Sequence, residues 1–104
     1  MLDIRQVQAF VSVVEERSFT RAAERLHIGQ SGLSQQIKKL ERNIGGDLFE
    51  RSPQAVDITD LGRSLYPLAQ DLLASAKSFE RLAADRTGRP FLTGRPADDH
   101  ESRT

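Results

Sequence analysis

The chain has 104 residues, 15 basic side chains against 15 acidic ones, and no cysteine. That length supports one small domain with a modest core and argues against an enzyme with a deep pocket of its own. Zero net charge does not advertise nucleic-acid binding, so any positive patch must come from local arrangement. Disulfides and thiolate metal sites are excluded, and His27 and His100 are too far apart to suggest a metal cluster. No metal and no cofactor are expected. No apolar run reaches the length of a membrane span, and the N-terminus lacks the basic and then apolar order of a signal peptide, so a cytoplasmic location is expected.

In chain order, Met1 to Arg17 places Ile4, Val7, Phe10, Val11 and Val14 on one stripe. The period is that of an amphipathic helix rather than a strand, and Asp3 can cap it. The next stretch, Ser18 to Ile44, reads as two helices joined by a tight turn at His27-Ile28-Gly29. The first turns Phe19, Ala22, Ala23 and Leu26 inward, with Ser18 or Thr20 as its N-cap. The second, from Gln30 to about Asn43, turns Leu33, Ile37, Leu40 and Ile44 inward and is stopped by Gly45-Gly46. Gly29 stands at its cap and Gly32 in its first turn, where glycine costs about 1 kcal/mol relative to alanine. Close approach to a neighbour and simple tolerance explain Gly32 equally well.

Two strand-like pieces follow, Leu48 to Arg51 and Val56 to Ile58, around the turn-like Ser52-Pro53-Gln54-Ala55. Thr59 then caps a long helix predicted from Asp60 to about Ala84. Leu61, Leu65, Leu68, Leu72, Ala76 and Phe79 recur on it at threes and fours, a seam too long for the small core to cover. A second chain is the expected cover, and folding back onto its own domain is the alternative. Pro67 interrupts the seam and is expected to bend it. From Asp85 the composition turns to Gly, Pro, Arg and Asp, and a disordered tail is expected over 85–104. The tail repeats Thr87-Gly88-Arg89-Pro90 as Thr93-Gly94-Arg95-Pro96, similar to the Gly-Arg-Pro core of AT-hooks but with threonine where arginine should precede the glycine.

The expected fold is mainly α: a three-helix winged helix-turn-helix with a small β-hairpin wing over 1–58, followed by a long dimerisation helix over 59–84. The outward face of the third helix carries short or straight polar side chains rather than a solvating Glu/Lys mixture. A major groove admits one helix, and bases are distinguished there by side chains near its N-terminus. Gln30 and Gln35 can each offer adenine a donor and an acceptor, and Ser31 and Ser34 let the backbone approach. Lys38 and Lys39, with Arg42 farther along, suit phosphates, as do Thr20 and Arg21 across the groove. The bland alternative is a bundle whose polar face is only solvated. No nucleophile, base or metal set converges on any segment, so no catalytic residue is expected.

Residues 1 to about 84 resemble the N-terminal DNA-binding region of LysR-type transcriptional regulators. The resemblance rests on Phe10 and Val14, Ser18-Phe19-Thr20 with Ala22-Ala23 and Leu26, Gln30-Ser31 with Leu33-Ser34 and Gln36-Ile37, Leu40-Glu41, Gly45, Leu48-Phe49 with Arg51, and Thr59 with Gly62. It implies a recognition helix in the major groove, a wing near the minor groove contributing around Arg51 to Gln54, and a linker helix that pairs antiparallel with its twin. Double-stranded DNA and a second copy of the chain are the implied partners. Family members often carry arginine where this chain has Gln35 and a basic wing tip where it has Gln54, so a flatter salt dependence is expected, each phosphate contact contributing about −0.9 to the log–log slope. Members also continue into a large effector-binding domain, and no small-molecule effector site is recognisable in this sequence. A second function, a dimerising module that acts by forming heterodimers with a full-length relative, shares the fold and differs in what Gln30 to Lys38 does.

Overall fold

The computed structural model describes residues 1–52 and 55–91. Three helices come first: α1 (Ile4–Glu16), α2 (Phe19–Leu26) and α3 (Gln30–Ile44). A hairpin of β1 (Phe49–Arg51) and β2 (Val56–Ile58) follows, and then α4 (Asp60–Thr87). The chain divides into two units, Met1–Leu73 and Ala74–Thr104.

Local chemistry sets the helix ends in the first unit. Asp3 caps α1, its carboxylate accepting the Arg5 N–H at 2.9 Å. Of the two candidate caps for α2 it is Ser18 that serves, its hydroxyl accepting the Arg21 N–H at 3.1 Å. Arg17 and His27 close α1 and α2 in the left-handed conformation, with φ of 55° and 58°. A non-glycine residue costs about 1–2 kcal/mol there, and here it lets two helices start within a few residues of the preceding helix's end. Gly45 ends α3 with φ 89°, where glycine carries no such cost.

The core is shared by all the elements up to the start of α4. Val13, Leu33, Ile37 and Leu48 are fully buried, and Phe10 meets Phe49 and Tyr66 edge to face with centroids 5.7 and 6.3 Å apart. Two expected core residues are not in it. Ile4 and Ile44 lie at the ends of their stripes, past the neighbours that would cover them, and both are exposed. Two polar residues take unexpected places inside: Ser12 and Gln6 are buried, and Gln6 Oε1 has no hydrogen-bond partner among the described residues.

The hairpin is antiparallel, pairing Phe49 with Ile58 and Arg51 with Val56, and the Ser52 N–H closes its turn on the Ala55 carbonyl at 3.0 Å. Glu41 of α3 fastens it from below, one carboxylate oxygen accepting the Leu48 N–H at 2.8 Å and the Phe49 N–H at 3.4 Å. Thr59 joins the hairpin to α4: its hydroxyl donates to the Asp47 carbonyl at 2.7 Å and accepts the Gly62 N–H at 3.0 Å. A Cβ on Gly62 would lie 2.6 Å from both Ile58 Cγ1 and the Leu48 carbonyl oxygen, so only glycine fits that crossing. A Cβ on Gly32 would meet nothing within 4 Å, which removes close packing against α2 as its reason.

Along the first stretch of α4, Ala69 is buried and Leu65, Tyr66 and Leu73 pack against the core, while Leu61, Leu68 and Leu72 stay exposed. The seam is therefore not one surface: Leu65 serves its own domain. Pro67 lies inside the helix without ending it.

In the second unit, α4 runs on to Thr87, past the expected end near Ala84, and Gly88 closes it with φ 71°. The first residues of the expected tail are thus helical. The Thr87 hydroxyl, donating to the Ala83 carbonyl at 2.8 Å, extends the last turn. Ala76 is half-buried, Phe79 is 70% exposed, and its ring meets that of Phe91 edge to face at 6.4 Å. The second Gly-Arg-Pro copy lies outside the described residues. No helix among the described residues is long and apolar enough to cross a membrane.

Candidate nucleic-acid interface

With Leu33, Ile37 and Leu40 turned into the core, the residues on the far side of α3 are fixed by the helical period. They are Ser31, Gln35, Lys38 and Arg42, spaced by four, three and four, and all are exposed. Arg42 completes this stripe and belongs with the residues named from the sequence. Gln30 and the half-buried Ser34 form one flank. Lys39 stands on the other, off the stripe by the helical period, and its charge adds the smallest contribution to lowering the Asp3 carboxyl. The larger causes of the Asp3 shift are its hydrogen bonds from the Arg5 backbone and side chain.

The start of α3 is open. Gly29, its N-cap, has no side chain to accept the first N–H groups. Beside it, Gln30 Nε2 donates to Thr20 Oγ1 at 2.7 Å, bringing together a candidate reader on α3 and a candidate phosphate contact on α2. Arg21, next on α2, is exposed, and its backbone N–H is already taken by the Ser18 cap.

Arg51 is more firmly held than its place in a hairpin suggests. Its guanidinium stacks over Phe19, 4.8 Å from the ring centroid, and Nη2 lies 3.8 Å from Glu41 Oε1. Lys38, Arg42 and Arg51 share a shallow depression with Glu41 and Asp47, so the positive charge there is tempered by two carboxylates. Gln54 lies outside the described residues.

A second polar cluster ties α4 to the helices beneath it. Arg25 pairs with Glu15 at 2.8 Å and with Glu16 at 3.4 Å, and the Tyr66 hydroxyl donates to the other oxygen of Glu15 at 2.9 Å. Burial first, and then the bond to Glu15, push the Tyr66 hydroxyl above its ordinary pKa. The bond to Glu15 likewise raises Arg25, which stays charged. Neither this cluster nor the Phe19–Arg51 stack has a local sequence signature, because each joins residues from different elements.

The matching family model is "Bacterial regulatory helix-turn-helix protein, lysR family", and it covers residues 4–63. The chain belongs to the lysR family. Among its relatives, YcgK of Bacillus subtilis (strain 168), named an uncharacterized HTH-type transcriptional regulator, is 39% identical over 103 residues, covering 90% of this chain and 32% of YcgK. The HTH-type transcriptional regulator BudR of Klebsiella aerogenes is 45% identical over 73 residues, 70% of this chain and 51% of BudR. Among solved structures, the BenM DNA-binding domain in complex with catB site 1 DNA superposes with a TM-score of 0.78 at 37% identity, covering 83% of this chain and 97% of that one. Full-length OxyR C199D of Pseudomonas aeruginosa gives 0.79 at 36% identity, with 82% of this chain and 29% of OxyR covered. This lysR-family chain spans a third of the length of YcgK and half that of BudR. The three helices, the hairpin and the long helix that follows are the winged helix-turn-helix of LysR DNA-binding domains.

Proposed function

We propose that this chain reads double-stranded DNA as a homodimer and so regulates transcription, in the compartment that holds the DNA. The observation that carries the reading is the outward face of α3: exposed, polar and unobstructed, on a helix whose other face is locked into the core, in a fold shared with a domain solved on its DNA. In this reading Gln30, Ser31, Ser34 and Gln35 face base edges, while Thr20, Arg21, Lys38 and Arg42 hold phosphates, with Lys39 at the margin. Arg51 and Gln54 bring the wing to the neighbouring groove. Residues 1–58 read, and 59–84 pair.

Pairing is supported by an apolar groove of about 290 Å3 in the first unit, floored by Phe10, Leu40 and Leu48 and rimmed by Ile44, Leu68 and Leu72. An open surface of this kind on a small domain favours a second copy as its cover. Two reading heads on one duplex face would select an inverted repeat with half-sites a whole number of turns apart, about 34 Å per turn.

The test is selection from a random duplex pool with the purified chain, followed by titration of the best site at several salt concentrations with stoichiometry read together. An enriched inverted repeat bound by two chains supports the reading. A stable dimer that enriches nothing overturns it and leaves the apolar seam as the functional surface.

A further inference from the structure

A glutamine amide is nearly symmetric in shape but not in chemistry: turned by 180°, it exchanges its acceptor for its donors. A free Gln30 would present both orders to a base pair and discriminate poorly. It is not free. Its Nε2 donates to Thr20 Oγ1 at 2.7 Å, leaving Oε1 and the second N–H for the groove; a hydroxyl can serve either end of an amide, so this order is enforced once the hydroxyl's own hydrogen is committed to another acceptor. The Thr20 hydroxyl, having accepted this bond, still has its own hydrogen to donate, and a phosphate oxygen is an acceptor only. Thr20 is the second residue of α2 and plays no part in its cap, which Ser18 supplies, so its hydroxyl has no structural duty.

We infer that Thr20 is the positioning residue of the reading head: its hydroxyl fixes the orientation of the Gln30 amide for an adenine edge, an acceptor toward N6 and a donor toward N7, and ties that orientation to a backbone phosphate. The inference rests on the DNA-reading proposal and assigns specificity within it. Thr20 governs discrimination, beyond any contribution it makes to affinity.

The experiment uses the full chain and the duplex enriched from a random pool. The position read by Gln30 is the one at which Gln30→Ala loses its base preference. Thr20→Val keeps the side-chain shape and a similar helix propensity. It should lower the preference at that position by about tenfold, within the range of one bidentate contact, with other positions unchanged. Thr20→Ser should restore it, and Thr20→Val should add nothing to discrimination in the Gln30→Ala background. In the DNA-free chain, one of the two Gln30 side-chain amide protons should shift in Thr20→Val and return in Thr20→Ser. Equal loss of affinity for matched and mismatched duplexes, failure of serine to rescue, or unmoved amide resonances would overturn the inference while leaving DNA reading intact. A pool from which wild type enriches nothing would overturn both.

Discussion

Helices α3 and α4 are both amphipathic, yet they leave opposite faces uncovered. In α3 the apolar stripe is sealed into the core and the polar face stands free; in the first stretch of α4, Leu61, Leu68 and Leu72 stand free. An apolar period locates a stripe but not its cover. A face left polar can discriminate among hydrogen-bonding partners, whereas one left apolar gains most from being taken out of water. The two helices are therefore suited to different tasks although their patterns look alike.

Substitutions can break or sharpen that contrast. Leu33→Ala on the sealed stripe should cost about 3 kcal/mol, from lost transfer energy and an unfilled cavity, measured by urea denaturation. Gly62→Ala, at the crossing of α4 over the hairpin, should cost about 2 kcal/mol, because Ile58 and the Leu48 carbonyl must move away. Gly32→Ala should act in the opposite sense, stabilising the fold by about 0.5–1 kcal/mol, since the new methyl group meets open space and glycine is a poor helix former. A destabilised Gly32→Ala would mean that the space beside Gly32 is not open.

In the second unit, Phe79→Ser should change the unfolding free energy of the single chain by no more than about 0.5 kcal/mol, while raising the dimer dissociation constant measured by sedimentation. A smaller effect is expected from pH. The folded-state pKa of Tyr66 is raised above its ordinary value of 10.0, so its contribution is fully present below that value and lost as pH rises through the higher folded value. Tyr66→Phe should flatten this alkaline slope in thermal melts.

The sequence made the helices legible because their stripes are long and their stops are chemically explicit. Asp3, Ser18, Thr59 and Gly45 all mark ends where their side chains, or the lack of one, act. The hairpin was readable from its turn chemistry, with β1 starting at Phe49 rather than Leu48. Choices between near-equivalent neighbours were harder. Ser18 rather than Thr20 caps α2, which frees Thr20 to bond Gln30, and Ile44 sits on the right stripe but one turn past the last residue that could bury it. Lys38 and Lys39 are adjacent in sequence and both exposed, but only Lys38 lies on the stripe opposite the core. Least legible were contacts between elements distant along the chain, such as Arg51 on Phe19 or Tyr66 on Glu15, where no local pattern records the pairing.

Glu41 gives the hairpin a property that its length would not. A two-stranded ribbon of three-residue strands is marginal by itself, and this one is tied to α3 by a carboxylate that accepts the N–H of Phe49 and of Leu48 just before it, while the Arg51 guanidinium lies 3.8 Å from the other oxygen. Hairpin and helix are therefore joined through one side chain. On the DNA-reading proposal, a half-site meets the recognition helix and the base of the wing as one unit, joined through Glu41 before any duplex arrives.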